Sequence, residues 1–302
     1  MGRQKKLPTV SVICPLYNAE DSILDFDRSL RNQKGVNLLE IKYTLTESSD
    51  HTEDLLDALD VPYLKIKKEA FSHSIVREEA AMKVKGKIIV FLTQDVEIRD
   101  DQFLAKLVAP IFNGEASASY ARQKTKYNNI EKYTRAHNYP QESFVVTKKD
   151  LPKLGLKTFF FSDAAGAVDA KTFRDLSGYD GKDLPISEDM YLAYKIIMHG
   201  GSIKYAADAI CYHSHNFKLG QLYNRYKLTG EFMKQNPDIA EYGVTSAGGG
   251  MAKSILRSAV KDRNFRVLSG YIPNMAARFM GMTRGRMSRP RKNYVMMRKG
   301  ER

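Results

Sequence analysis

The eight residues Ile88-Ile-Val-Phe-Leu-Thr-Gln-Asp95 decide the fold. Five consecutive apolar side chains without polar alternation suit a strand covered on both faces, and such strands belong to parallel sheets. The run breaks at Thr93-Gln into a carboxylate, and an amphipathic stretch near Gln102–Ile111 follows. Upstream the same strand, loop and helix order occurs three times. Val10-Ser-Val-Ile-Cys-Pro leads through Leu-Tyr-Asn18 into a helical pattern reaching Arg31. Ile41–Leu45 leads through Thr46-Glu-Ser-Ser-Asp to a helix around Glu53–Leu59, and Tyr63–Ile66 leads through Phe71-Ser-His-Ser to one ending near Met82. Strands alternating with helices in units of roughly 25 residues predict an α/β fold with a mostly parallel sheet flanked by helices.

Beyond residue 115 the alternation loosens. Ala116–Ala121, Ser143–Thr147, Gly166–Asp169, Ile203–Tyr205 and Ile210–His213 read as strands. Pro185-Ile-Ser-Glu-Asp opens a helix with Met190, Ala193, Tyr194 and Ile197 on one face, and another helix covers roughly Leu219–Gln235. After Pro237 the chain turns helical, basic and rich in methionine, holding seven of the twelve. Gly248-Gly-Gly reads as a hinge.

The 302 residues are 43% hydrophobic and 27% charged, with a formal net charge of +13, enough length for one large domain with an appendage. Residues 251–302 hold 14 Lys and Arg against Asp262 and Glu301, a net of +12, which leaves +1 for residues 1–250. Basicity is therefore a property of the tail. A tail with few interleaved aromatics and no recognised module argues against nucleic acid as partner. No apolar run approaches the roughly 18 residues of a spanning helix, and no apolar stretch of signal-peptide type follows Met1. Two cysteines, Cys14 and Cys211, without metal spacing point to a reducing, cytoplasmic setting.

In a doubly wound sheet, ligands meet the loops at the carboxyl ends of the strands. Here those loops carry Pro15-Leu-Tyr17-Asn18, Thr46-Glu47, His73 with Arg77, and Thr93-Gln94-Asp95. None is a glycine-rich phosphate cradle, which disfavours a dinucleotide-binding Rossmann domain. Gly248-Gly-Gly-Met-Ala-Lys-Ser follows no strand and lacks the glycine before lysine of a P-loop.

Taken together, Val10–Asn18, Phe71-Ser-His-Ser with Arg77, Phe91-Leu-Thr-Gln-Asp95, Phe161-Ser-Asp163, Ile186-Ser-Glu-Asp189 and His213-Ser-His215-Asn resemble the family 2 glycosyltransferases of the GT-A fold. Within that group the chain is most similar to bacterial rhamnosyltransferases of cell-wall and O-antigen polysaccharide synthesis. The resemblance spans about residues 8–235. It implies a GT-A catalytic domain over 1–235, with its nucleotide-sugar part about 1–115 and its acceptor part about 116–235, followed by a helical, basic, membrane-associating region over 236–302. The implied activity is inverting transfer of L-rhamnose from dTDP-β-L-rhamnose to a polyprenyl-diphosphate-linked saccharide at the inner face of the plasma membrane. The alternatives are a transferase of another nucleotide sugar, or a nucleotide-sugar-binding or membrane-docking protein without catalysis.

The chemistry accounts for the residue types. Expelling a nucleoside diphosphate calls for a divalent metal and cations, and Mg²⁺ or Mn²⁺ needs only one or two carboxylates beside the phosphates. The family's Asp-x-Asp motif reads Thr93-Gln-Asp95 here, so the first aspartate is missing. The resemblance implies Asp95 as metal ligand, with weaker help from Thr93, joined by His213, favoured because it directly follows the strand, or by His215; the alternative for the histidines is hydrogen-bonded surface groups. An acceptor hydroxyl requires a positioned base, a role the resemblance gives to Asp189 with Glu188. Ser187 and the two acids also suit a helix N-terminus. A helix dipole lowers a carboxylate pKa, so a base there needs an apolar or acidic neighbourhood. Asp163 is expected near the acceptor, or as a turn former. For the nucleotide sugar the candidates are Pro15, Tyr17, Asn18, Thr46, Glu47, His73, Gln94, Arg77 and Arg225, the two arginines facing the diphosphate.

On a helical wheel of Val267–Arg284, Leu268, Tyr271, Ile272, Met275, Phe279 and Met282 fall within an arc of roughly 100°. Arg286, Arg289, Arg291, Lys292, Arg298 and Lys299 follow. Apolar stripe and cations predict a helix lying in an anionic membrane interface; the competing expectation is a helix packed on the catalytic domain.

Overall fold

A computed structural model of the chain describes residues 6–213, 215–243 and 245–288. Eight strands, β1 (Thr9–Leu16), β2 (Asn37–Thr46), β3 (Tyr63–Ile66), β4 (Ile88–Leu92), β5 (Ala118–Lys124), β6 (Phe144–Val146), β7 (Ala165–Asp169) and β8 (Ile203–Tyr212), form one sheet. The helices are α1 (Ile23–Arg31), α2 (Thr52–Ala58), α3 (His73–Ala81), α4 (Phe103–Phe112), α5 (Ile130–Asn138), α6 (Leu151–Leu154), α7 (Ala170–Asp175), α8 (Glu188–Met198), α9 (Leu219–Gln235), α10 (Pro237–Ala240), α11 (Thr245–Lys261) and α12 (Phe265–Met287).

The strand order is β3-β2-β1-β4-β7-β5-β8-β6. β1 runs parallel to both β2 and β4, and β2 parallel to β3, as the repeated units require. β7 enters antiparallel between β4 and β5, and β6 closes the far edge antiparallel to β8. All five residues of β4 are buried. Alternation explains it: Val90 and Leu92 join Val12 and Phe26 in the core on one face, while Ile89 and Phe91 join Ile13 and Phe173 on the other.

Two expectations change. Ile203–Tyr205 and Ile210–His213 are parts of the single strand β8, whose pairing with β5 is interrupted by an irregularity between Ala121 and Arg122. Gly248-Gly-Gly is no hinge but lies inside α11. Intrahelical hydrogen bonding and the apolar residues Ile255 and Ala259, buried against Tyr133 and Val267, carry that helix despite its glycines.

α12 lies along α9 because glycines let the backbones meet. A side-chain carbon at Gly281 would strike the carbonyl of Tyr223, and one at Gly230 the carbonyl of Met282. This contact brings Arg278, in the middle of α12, against α9 and α5.

Candidate active site

A cleft of about 600 Å³ opens at the carboxyl end of β4. Its walls come from the loop after β4, the start of α3, the segment before β7, the start of α8, the residues after β8, and α5, α9 and α12. Sequence-distant candidates converge here: His73, Arg77, Asp95, Asp163, Glu188, Asp189, His213, His215 and Arg225 all line it.

At one point Asp95, His213 and His215 offer one ligand atom each, all within 4.8 Å of one another. Nε2 of His213 is 3.4 Å and Nδ1 of His215 3.6 Å from the Asp95 carboxylate. The two rings meet edge to face with centroids 4.8 Å apart. His213 Nδ1–H donates to Gln123 Oε1 at 2.9 Å, which turns Nε2 towards the Asp95 side. Burial, and then the neighbouring His213, hold His215 down at about 4, so its imidazole is neutral and able to ligate near pH 7. Although burial opposes it, hydrogen bonding and charge from His213 keep the Asp95 carboxyl well below its usual range. A carboxylate and two imidazoles on one side of an open cleft fit a divalent metal with positions left for phosphate.

Also lining the cleft, α8 begins with Glu188 and Asp189. Ser187 sits at its N-cap position with φ +62°, and its side chain caps nothing, contrary to the expected capping. Instead Asp189 Oδ1 accepts from the Met190 N–H at 2.7 Å. Burial first, then the charges of Glu188 and Asp163, raise the Asp189 carboxyl well above its ordinary value. The acidic neighbourhood that a base at a helix start needs is therefore present.

Behind these acids lies a buried layer. Arg77 Nη1 donates to the His73 carbonyl at 3.0 Å and lies 3.4 Å from Glu188 Oε1. With only 3% of its side chain exposed, the Arg77 guanidinium lies at the cleft wall, paired with Glu188. Burial lowers the His73 pKa, so its ring is neutral, on the cleft wall against Phe71. Asp163 is 2% exposed and accepts from Tyr179 Oη at 2.6 Å, its other oxygen buried without a hydrogen-bond partner. Burial pushes its carboxyl up to about 7, against the pull of Arg77. Arg225 is exposed on α9, its guanidinium 5.7 Å from the Phe217 ring centre and within electrostatic reach of Asp189 and His215.

The remaining candidates gather beside the cleft. Gln94 clasps Tyr17, accepting from its backbone N–H and donating to its carbonyl, both at 2.7 Å. Both ends of that amide are engaged, so Gln94 shapes the Pro15–Asn18 loop, with one N–H and one oxygen lone pair still to offer. Asn18, at φ +46°, joins that loop to the next one through Ser48 Oγ at 3.0 Å and the Ser49 N–H at 2.9 Å. Thr46 is buried with an unpartnered hydroxyl, Glu47 is exposed, and Pro15 is half-buried. Lys68, 3.0 Å from the Tyr17 hydroxyl, stands at this end too. Sequence reasoning missed Gln123, Glu131, Arg135, Tyr139, Tyr179 and Arg278. They sit in ordinary strand, helix or loop contexts with no local motif, so no signal marks them.

The model for glycosyl transferase family 2 matches residues 11–177, the span that builds β1 to β7 and carries Asp95 and Asp163. The chain belongs to glycosyltransferase family 2. Among its relatives are the O-antigen chain rhamnosyltransferases RfbN of Salmonella typhimurium, 29% identical over 92% of this chain and 89% of that protein, and WbaN of Salmonella anatum, 26% identical over 93% and 90%. Staphylococcus aureus TarS residues 1–349, crystallised with UDP-GlcNAc, superposes with a TM-score of 0.53 at 14% identity over 92% of both chains. Glucosyl-3-phosphoglycerate synthase of Mycobacterium tuberculosis, crystallised with Mn²⁺, UDP-glucose and glycerol 3-phosphate, gives 0.52 at 15% over 79% and 82%. This family 2 enzyme is thus a glycosyltransferase of GT-A fold, with its candidate metal ligands and acid pair lining one cleft.

Proposed function

We propose that the enzyme transfers L-rhamnose from dTDP-β-L-rhamnose, with inversion, to a lipid-linked saccharide in cell-wall polysaccharide synthesis. The acid pair at the start of α8, sharing one cleft with Asp95 and the two histidines, carries the reading. The acceptor hydroxyl oxygen attacks the anomeric carbon from the side opposite the nucleotide. The anomeric C–O bond to phosphate breaks, and its electron pair leaves with dTDP. Asp189 takes the hydroxyl proton, helped by the raised proton affinity that burial, Glu188 and Asp163 impose. Glu188, braced by Arg77, keeps that acidic environment in place. Asp95, His213 and His215 would hold Mn²⁺ or Mg²⁺, which when bound neutralises the departing diphosphate. Two imidazoles beside one carboxylate favour Mn²⁺ over Mg²⁺, which prefers an all-oxygen shell. Arg225 supplies the exposed cation for the same phosphates. Pro15, Tyr17, Asn18, Thr46 and Glu47 are assigned to the nucleotide, since they gather at the carboxyl ends of β1 and β2. The domain division at about residue 235 is retained, with α12 docked on α9.

The cytoplasmic membrane surface is proposed as the working place, through α12. Its side chains Leu268, Tyr271 and Met275 pack towards Tyr133 and Ile255 and are withdrawn from the predicted stripe. Phe265, Ile272 and Phe279, 73–76% exposed, continue the outward face with Met280 and Met287. Arg266, Arg284 and Arg286 are exposed on the same helix. Arg289, Arg291, Lys292, Arg298 and Lys299 lie outside the described residues. Among the described residues no helix is long and apolar enough to cross a membrane. The deciding experiment measures nucleotide release from a panel of nucleotide sugars with short saccharide acceptors. Release from dTDP-rhamnose should dominate, and Asp189→Asn should lower it at least ~10²-fold while donor binding persists. Turnover of another donor alone would overturn the rhamnosyl assignment.

A further inference from the structure

The acids Asp95, Asp163, Glu188 and Asp189 share their cleft with a second group of charges. Where α5, α9 and α12 line it, Arg135 and Arg278 stand around a single carboxylate, Glu131. Glu131 lies 3.7 Å from Arg135 Nε and 3.6 Å from Arg278 Nη2, too far to satisfy either as a hydrogen bond. Both guanidiniums are largely withdrawn from water, 14% and 8% exposed. Their short contacts go to neutral groups: Arg135 to Gln123 Oε1, and Arg278 to the Tyr226 hydroxyl at 2.6 Å and Asn274 Oδ1 at 2.8 Å. Arg135 Nε is buried without a hydrogen-bond partner. Two desolvated cations sharing one anion are costly to keep, and a bound anion relieves that cost.

We propose that this wall binds a phosphoryl group at the reducing end of the acceptor saccharide. The inference rests on the transferase reading above, which places the reacting hydroxyl at Asp189. Buried Tyr139 connects the two groups: its hydroxyl is 3.5 Å from Arg135 Nη1, and it lies within electrostatic reach of Asp189. A sugar held in the cleft presents its hydroxyl to the acids and its anomeric phosphate to the arginines. Guanidinium forks match phosphate oxygens, and hydrogen bonds with both partners charged are the stronger kind. Arg278 belongs to α12, so the C-terminal region supplies part of the catalytic cleft as well as the apolar outer face. The phosphoryl group belongs to a lipid-linked diphosphate or to a soluble sugar phosphate; the chemistry at the wall is the same.

The test uses the full chain with Mn²⁺ and the donor it turns over. Acceptors are a hexose with an alkyl-phosphoryl group at its reducing end and the same hexose as an uncharged alkyl glycoside. The wild type should favour the charged acceptor at least ~10-fold in kcat/KM, through KM, and Arg278→Gln should erase most of that ratio. Arg135→Gln, on a different helix, should do the same, which covers the case of one variant failing to fold. Arg278→Lys should keep an intermediate ratio, because charge remains but the fork is lost. A second arm needs no turnover: with EDTA present, hexose 1-phosphate and free hexose are titrated against each variant. The phosphate preference should be present in the wild type and lost in both Gln variants. A wild type indifferent to phosphate, or a preference that survives both substitutions, overturns the subsite. Loss of turnover with every donor, alongside an intact binding preference, instead removes the transferase reading and leaves the subsite standing. A third acceptor, a short polyprenyl-diphosphate hexose, separates the sources: its preference over hexose 1-phosphate assigns the group to a lipid, and the reverse to a soluble sugar phosphate.

Discussion

Arg77 Nη1 lies 3.4 Å from Glu188 Oε1, a contact between α3 and α8 across 111 residues, with 3% and 12% of the two side chains exposed. The pair fixes the start of α8 and with it the adjoining Asp189. Removing one member of a buried pair leaves the other uncompensated, at a cost of about 3–5 kcal/mol. Arg77→Gln should therefore lower Tm by several degrees and kcat together, in calorimetry and initial-rate assays. Glu188→Gln, which leaves Arg77 alone, should also destabilise. An Arg77→Gln protein of native Tm and native kcat would show that the pair holds nothing in place.

Asp163 makes stability depend on pH in a definite direction. Its carboxyl is raised to about 7 in the folded chain, mainly by burial, against about 3.9 when unfolded. Between those values the folded state holds the proton and the unfolded state does not. This contribution is full below about pH 4 and is lost as pH rises through 7, at up to about 1.4 kcal/mol per pH unit. Unfolding of the wild type and Asp163→Asn between pH 4 and 8 should show the wild type losing stability more steeply with rising pH. Parallel curves would mean that Asp163 is already ionised in the fold.

Gln123 orients His213 through the 2.9 Å bond to Nδ1. Partners of this kind set metal affinity by 10–100-fold. Gln123→Ala should raise the Mn²⁺ concentration needed for half-maximal activity by about that factor, with maximal activity largely recovered at saturating metal. His213→Ala should not recover so fully. EDTA should abolish wild-type activity and Mn²⁺ restore it; an enzyme indifferent to EDTA would remove Asp95, His213 and His215 from the ligand role.

The outward face of α12 gives a membrane test. Phe279→Asp and Ile272→Asp each place a charge on an exposed apolar site, 73% and 76% exposed. Co-sedimentation with anionic liposomes should fall several-fold for each, with Tm unchanged because neither side chain is buried. Leu268→Asp, at a partly buried position packed towards Tyr133, should instead lower Tm.

The alternating strands, the fully apolar Ile88–Leu92 run and the loop order were legible in the chain itself, as were Asp95, Glu188, Asp189, His213 and His215 as candidates that the fold brings to one cleft. Each is a local matter: periodicity reports which faces are covered, and a strand followed by polar residues marks a carboxyl-end loop. The same locality explains the misses. A one-dimensional wheel ranks Leu268, Tyr271 and Ile272 together, although α5 and α11 half-bury the first two and leave Ile272 in solvent. A run of three glycines looks like a break until its neighbours are known.

Family membership and the chemical types at the site were thus determined by the sequence alone. Only the tertiary structure decided that Arg77 pairs with Glu188 in a buried layer, that Gln123 holds a histidine, and that Arg278 of the tail lines the cleft. Those roles depend on burial and on partners more than 100 residues distant for Arg77 and Arg278 and 90 for Gln123. Charge in a sequence has a sign and a count. What a charge does is settled by the dielectric around it and by the atom placed opposite.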